Sequence, residues 1–400
     1  MSAIRVAPII IAVILAGTLA YAAMVNVPAA SSGLNVSLTV GYPDSLDESD
    51  VTDQYAYNNI LAPEGIHVAS TFYDAPPLSY KGLISGQTDI SFDTSSQTMG
   101  LGPAQGEQTT CVTSYAIAGV FLMIAGQGFT QPSQLIGKAV DDFGPGSSTR
   151  ALDLYWFHQS GINVTQDASS PAPGSVLLRN VGGNIARVHD LITKNAGAIV
   201  VDDFILSDFM GSSNTTANGG PFHVMFYAPN TVYDNCFAVR DSWLQSSTNG
   251  VANTKIIVMF IKAIIEAQRH FISDPAALVT FAEGQLPLTS PSEIQFTSTF
   301  YPAHYTYWPY GAFNLQGSAN VTGMYAATQA YFVLVGNIKQ PVANSSVTPY
   351  GVVNKYFEQQ ALQELGPYTY CSSSSWMTPQ IEGYIASNVP SSWGSVGSCA

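Results

Sequence analysis

The sequence predicts an α/β protein of two doubly wound lobes joined by a two-strand hinge and preceded by a hydrophobic amino-terminal helix. Three observations predict it. A β-α-β-α-β order runs from Leu34 to Asp93, and a second set of the same elements runs from Gly137 to Phe204. Between them lies a long apolar run without proline, TSYAIAGVFLMIAGQ, and FHVMFYAPNTVYDNCFAVRDSWL leads back as a return strand. Two similar lobes joined by two crossings form a hinge-closing design.

The elements follow in order. LNVSLTVGYP alternates apolar and polar residues and ends in Gly41-Tyr42-Pro43, which predicts a strand entering a loop. DESDVTDQYAYNNILAPEG places Val51, Tyr55, Ile60 and Leu61 on helical spacing behind acidic caps and stops at Pro63 and Gly65. IHVASTFYD is a strand, and LSYKGLISGQTDISFD reads as helix, glycine turn and strand. In the second set, GKAVDDFG, SVLLRNVGG and AGAIVVDDF are strands, while GSSTRALDLYWFHQSGI and NIARVHDLITKN are helices. TKIIVMFIKAIIEAQRHFISDP is a strong helix ended by Asp274-Pro275, and the chain from there to Gly366 reads mainly helical. The expected division is 34–115 with 232–366 as lobe 1, 116–231 as lobe 2, and 367–400 as a Ser-rich tail.

Composition narrows the function. The 400 residues hold 13 Lys+Arg against 27 Asp+Glu, a formal charge of −14, and charged residues make up only 10%, where roughly 25% is usual. No basic stripe exists to neutralise phosphates, so nucleic acid is excluded as a partner. Carboxylates are too few for a halophilic surface. With 46% apolar residues the chain can bury a large core. In acid, the 27 carboxylates would lose charge and leave few repulsions among 13 cations, so the fold is expected to escape acid self-repulsion.

Val6 to Val25 runs without a charge behind Arg5. Two readings stand: a signal peptide cleaved after Ala20-Tyr21-Ala22, or an uncleaved membrane anchor, since twenty apolar residues just span a hydrocarbon core of roughly 30 Å. Either places the remainder outside the cell or on its surface, in the anchor reading at the outer face of the cytoplasmic membrane. Sequons at Asn35, Asn163, Asn214, Asn320 and Asn344 fit a glycosylated exported surface. The four cysteines, Cys111, Cys236, Cys371 and Cys399, lack metal-site spacing, so two disulfides are expected, with three pairings open. Cys371 and Cys399 bracket a tail with few apolar residues that would gain from closure into a loop.

In open α/β sheets ligands sit beyond the carboxyl ends of the strands, which here means Tyr42, Asp44, Asp93, Thr94 and Ser95 in the first lobe. In the second lobe, Gly146-Ser147-Ser148-Thr149 precedes a helical pattern and offers hydroxyls and free backbone N–H groups to an anion, with Arg150 as a charge-assisted contact. Capping by Ser147 or Ser148 is the competing reading. Arg179, Arg187 and Lys81 are further candidate countercharges, against solvated surface roles. Asp202 is the candidate from the last strand, with Asp203 read as a helix cap. YPAHYTYWPYGAF surrounds His304 with aromatics, as a pocket wall or as ordinary packing.

Three segments together resemble a family. GLISGQTDISF is similar to its helix-end signature, QLIGKAVDDFGPGSSTRALDLYWFHQSGI to its Gly-Lys and Gly-Pro-Gly-Ser segment, and NIARVHDLITKNAGAIVVDDF to its second helix-end repeat, in matching order and spacing. The family is the type II periplasmic-binding-protein superfamily, in its nitrate, sulfonate, taurine and thiamine-precursor branch. The likeness covers roughly Leu34 to Leu365. It departs where the usual Gly-x-Asp becomes Lys194-Asn195-Ala196-Gly197-Ala198, displacing the acid to Asp202-Asp203. The resemblance implies a monomeric solute-binding protein that closes on a small polar or anionic ligand and delivers it to an ABC permease, with no cofactor and no metal. The two-lobed topology brings the crossings side by side, so Cys111–Cys236 is the expected bridge and Cys371–Cys399 its companion. Two alternatives remain: an enzyme on the same fold, such as a pyrimidine synthase or desulfinase, although the synthase's cysteine cluster is missing, and a surface sensor.

Overall fold

The computed structural model describes residues 33–43, 46, 50–92, 96–114, 121–202, 220–227, 236–285, 321–343, 349–371, 391 and 394–398. The amino-terminal apolar segment, the aromatic run around His304 and most of the Ser-rich tail lie outside them. Among the described residues no helix is long and apolar enough to cross a membrane.

The first lobe is built on a five-stranded sheet. Its strands are β1 (Val36–Tyr42), β2 (Ile66–Phe72), β3 (Ile90–Ser91), β4 (Thr109–Ser114) and, much later in the chain, β11 (Cys236–Arg240), in the order β2-β1-β3-β11-β4. The β1 strand is parallel to β2 and β3, while β11 runs antiparallel to β3 and β4. Val36, Leu38 and Val40 are buried while Ser37 is exposed, as the alternation predicts. Helix α1 (Val51–Tyr55) continues through a π-helical turn, Ala56–Leu61, and a short 3-10 turn. It stops at Gly65, whose φ of 80° and close approach to the Leu34 carbonyl require glycine. Helix α2 (Pro76–Ser85) follows β2. A second π-helical turn, Ser96–Leu101, leads into α3 (Gly102–Gln105).

The second lobe carries six strands in the order β10-β5-β9-β6-β8-β7. These are β5 (Phe121–Ala125), β6 (Ala139–Asp142), β7 (Asn163–Gln166), β8 (Ser175–Asn180), β9 (Ala198–Asp202) and β10 (His223–Tyr227), with α4 (Ser148–Gln159) and α5 (Asn184–Ile192) as crossovers. Strands β6 to β9 are parallel, and β5 runs antiparallel to both its neighbours, β9 and β10. The predicted single return strand is a correction: it is two strands, β10 in the second sheet and β11 in the first, so the chain changes lobes between Tyr227 and Cys236. Strand β7 was not expected, because a four-residue, largely polar edge strand carries no alternation signal.

After the hairpin strands β12 (Ser247–Thr248) and β13 (Val251–Ala252), which follow the short α6 (Asp241–Leu244), come α7 (Asn253–Ser273) and α8 (Pro275–Gln285). Helix α7 buries Ile256, Ile257, Phe260, Ile261 and Ile264 in the lobe 1 core, with Phe260 against Tyr57 and Phe237. Each such side chain contributes about 1.5–3 kcal/mol. Helix α9 (Val321–Leu334) lies within the span expected for lobe 1, yet its Tyr331 and Phe332 join the core of the six-stranded lobe while its Tyr325 packs with Tyr80 and Met99 of the first. Helix α10 (Tyr356–Leu365) returns to lobe 1. The tail strands β14 (Tyr368–Cys371) and β15 (Gly394–Gly397) pair in parallel, with Tyr370 in the lobe 1 core.

Cys111 and Cys236 form a disulfide between β4 and β11, with Cα atoms 5.8 Å apart, as the side-by-side crossings implied. Cys371 is also disulfide-bonded. Its expected partner, Cys399, lies outside the described residues.

Candidate functional site

The carboxyl ends of the two sheets face each other. The loop after β6 meets the π-helical turn after β3, where Gln97 Nε2 donates to the Gly146 carbonyl. The turn after β8 meets the loop after β2, where a side chain on Gly182 would collide with the Asp74 carbonyl. Leu101 and Pro77 of lobe 1 lie against Gly146. The Gly144–Thr149 loop of one lobe and the Ser96–Leu101 turn of the other therefore face each other where the lobes meet.

The loop is rigid for local reasons. Gly144 and Gly146 take φ of 81° and 87°, and a Cβ at Gly144 would strike the Asn180 side chain. Ser147 caps α4: its Oγ accepts from the Arg150 N–H at 3.1 Å and donates to the Gly144 carbonyl at 2.7 Å. Thr149 Oγ1 accepts from the Phe143 N–H at 3.0 Å, and the Gly144 N–H donates to Asp142 at 2.6 Å. Both hydroxyls are thus engaged within the loop. The backbone N–H groups of Ser148 and Thr149, both buried, have no acceptor among the described residues. Two buried donors at the positive end of a twelve-residue helix form an anion-binding arrangement.

Arg150 does not serve as the expected countercharge. Its guanidinium, 1% exposed, is bound by Asp142 through Nε, by both oxygens of Asp167 at 2.9 Å, and by Gln166 at 3.2 Å. Two carboxylates neutralise it and fix its plane, because a buried guanidinium costs several kcal/mol unless paired. It works as a strut tying the ends of β6 and β7 to the first turn of α4. Asp153, one turn on, is fully buried; burial first and the Asp142 charge second push its carboxyl well above the usual carboxylate range. Arg187 is buried with its guanidinium 3.6 Å above the Phe143 ring and a contact to Asn184. Arg179 binds Asp141 at 2.7 and 2.8 Å and Asp190 at 2.9 Å. Lys81 is exposed on α2.

Tyr42 is likewise a correction. Its ring is 1% exposed, packed on Phe72 and Phe92, and its hydroxyl is 2.7 Å from that of Tyr57, so no face is left for a ligand. The last residue of β1 points inward because the alternation of the strand places it with Val36, Leu38 and Val40. Asp44, Asp93, Thr94 and Ser95 lie outside the described residues. Asp202 closes β9 at the same sheet edge as the loop, next to β6. Sequence reasoning missed Gln97; a polar residue shortly after a strand end was the available signal, weakened by the serines around it.

Two doubly wound lobes that meet at their strand carboxyl ends, joined by paired crossings, define the periplasmic-binding-protein fold. The chain is similar in structure to the alkanesulfonate-binding protein SsuA of Xanthomonas axonopodis pv. citri bound to MOPS, with 16% identity, 79% of this chain and 99% of that chain covered, and a TM-score of 0.57. It is similar to the zinc-bound ligand-binding component of an ABC-type import system of Staphylococcus aureus, at 10% identity, 82% and 99% coverage, and a TM-score of 0.55. A Candida albicans protein with the generic periplasmic-binding-protein fold matches at 12% identity, 82% and 94% coverage, and a TM-score of 0.55. No family model matches the chain, and no curated protein matches it.

Proposed function

We propose that this protein is an extracytoplasmic solute-binding protein that captures a small polar or anionic ligand between its lobes and presents it to an ABC permease. The observation that carries the reading is the pair of buried N–H groups of Ser148 and Thr149, without an acceptor among the described residues, at the inter-lobe end of α4. Each unpaired buried donor costs about 1–3 kcal/mol, which a bound oxyanion would recover. The solved neighbours named as sulfonate-binding and import components support a binding role over catalysis. The cationic help expected from Arg150 is absent, so affinity rests on backbone N–H groups. Isothermal titration of the full chain against sulfonates, nitrate, hydrogencarbonate, phosphonates and pyrimidines tests the reading. Binding in the micromolar range with amide shifts at Ser148 and Thr149 is expected, and no heat with any of them would overturn it.

A further inference from the structure

Gln97 stands on the π-helical turn that lobe 1 lays against the Gly144–Thr149 loop, and it is 2% exposed. π-helical turns are enriched at functional sites because they re-aim side chains. The amide orientation is fixed, since only its NH2 half can donate to the Gly146 carbonyl. That leaves Oε1 buried without a hydrogen-bond donor among the described residues. The loop opposite presents the complementary lack: Ser148 and Thr149 hold buried N–H groups without an acceptor among the described residues. Leu101 and Pro77 of lobe 1 pack against Gly146.

The interface thus offers two donors from lobe 2 and one neutral acceptor from lobe 1. Arg150 is already offset by Asp142 and Asp167, and the other buried cation near the loop, Arg187, is stacked on Phe143 and bound to Asn184, which favours a singly charged ligand. Resting on the site proposed above, we infer that the ligand head group is a monoanion that carries its own proton: it accepts from the Ser148 and Thr149 N–H groups and donates an O–H or N–H to Gln97 Oε1. A fully deprotonated oxyanion would set a lone pair against Oε1 and leave that acceptor buried and unpaired. The same logic makes a site that hydrogen-bonds a ligand proton reject the analogue lacking it.

The experiment uses two isosteric pairs that differ by one proton at equal charge: methylphosphonate monoanion against methanesulfonate, and hydrogencarbonate against nitrate. Each is titrated into the full chain at a pH that keeps both members monoanionic. The protonated member of each pair should bind about tenfold tighter or more, and Gln97→Leu should bring both ratios to about one. Equal or reversed affinities in the wild type overturn the inference while leaving the binding site standing, as does a preference that persists in Gln97→Leu. If none of the four binds, and the Ser148 and Thr149 amides respond to none, the site itself falls and the inference with it. Should Gln97→Leu fail to fold, the wild-type ratios alone decide.

Discussion

Taking the protein from about pH 7 to about pH 4 should stabilise the six-stranded lobe rather than unfold it. Asp141 is fully buried on β6 and held by Arg179, which Asp190 also engages. Burial outweighs the arginine and pushes the Asp141 carboxyl up to about 6 from its ordinary 3.8. The folded state therefore binds this proton more tightly than the unfolded chain does. Its stabilising contribution is complete below about 3.8 and is lost as pH rises through about 6. The gap corresponds to about 3 kcal/mol as an upper bound. Asp153 acts in the same direction, whereas Asp167, held down by Arg150, weakens the fold only below its ordinary range. Urea unfolding at a series of pH values, followed by calorimetry, reads the effect as a rising midpoint between about pH 6 and about pH 4. Asp141→Asn should flatten that slope whatever it does to absolute stability. A wild-type midpoint that falls steadily over this window, or an unchanged slope in Asp141→Asn, would refute the reasoning.

Arg150→Met should cost about 3–5 kcal/mol in urea unfolding, because Asp142 is left buried and uncompensated; Arg150→Lys should not restore it, since a point charge cannot span Asp142 and Asp167 together. Gly144→Ala should cost about 1 kcal/mol or more, from the positive φ and the collision with Asn180, and should weaken ligand binding by loosening the loop. Replacing Cys111 and Cys236 together by alanine should lower stability by about 2–4 kcal/mol, since the bridge closes a separation of 125 residues; an unchanged unfolding midpoint would count against its role. Non-reducing peptide mapping should link Cys371 to Cys399, and a link to any other cysteine would overturn the closed-tail expectation.

Legibility followed burial pattern. Strands β1, β2, β5 and β6 and helices α4, α5 and α7 could be read because alternation, caps and apolar faces each point one way. The Cys111–Cys236 bridge, expected from the two-lobed topology, was legible too. Side-chain fates were less so. Gly-Ser-Ser-Thr announced a helix amino end, but nothing local told that Arg150 would turn back onto Asp142 and Asp167, eight and seventeen residues away. Tyr42 stood at the right strand end with the wrong facing, which a shift of one residue would have reversed. Gln97 escaped notice because its role arises only when the lobes meet, and no sequence window contains both it and Gly146.

Helix α9 would set a mechanical boundary on any motion between the lobes. Gln329 Nε2 binds the Met99 and Gly100 carbonyls, and Gly100 lies so close to the Phe332 ring that only glycine fits there. The turn carrying Gln97 is thus clamped from behind by a helix whose Tyr331 and Phe332 are seated in the other lobe. If the lobes swing apart, they have to pivot about this strap rather than about the two crossings alone. The gap would then widen most at the rim where Gly182 faces Asp74 and least at Gln97, so a departing ligand would lose its outer contacts before its innermost one.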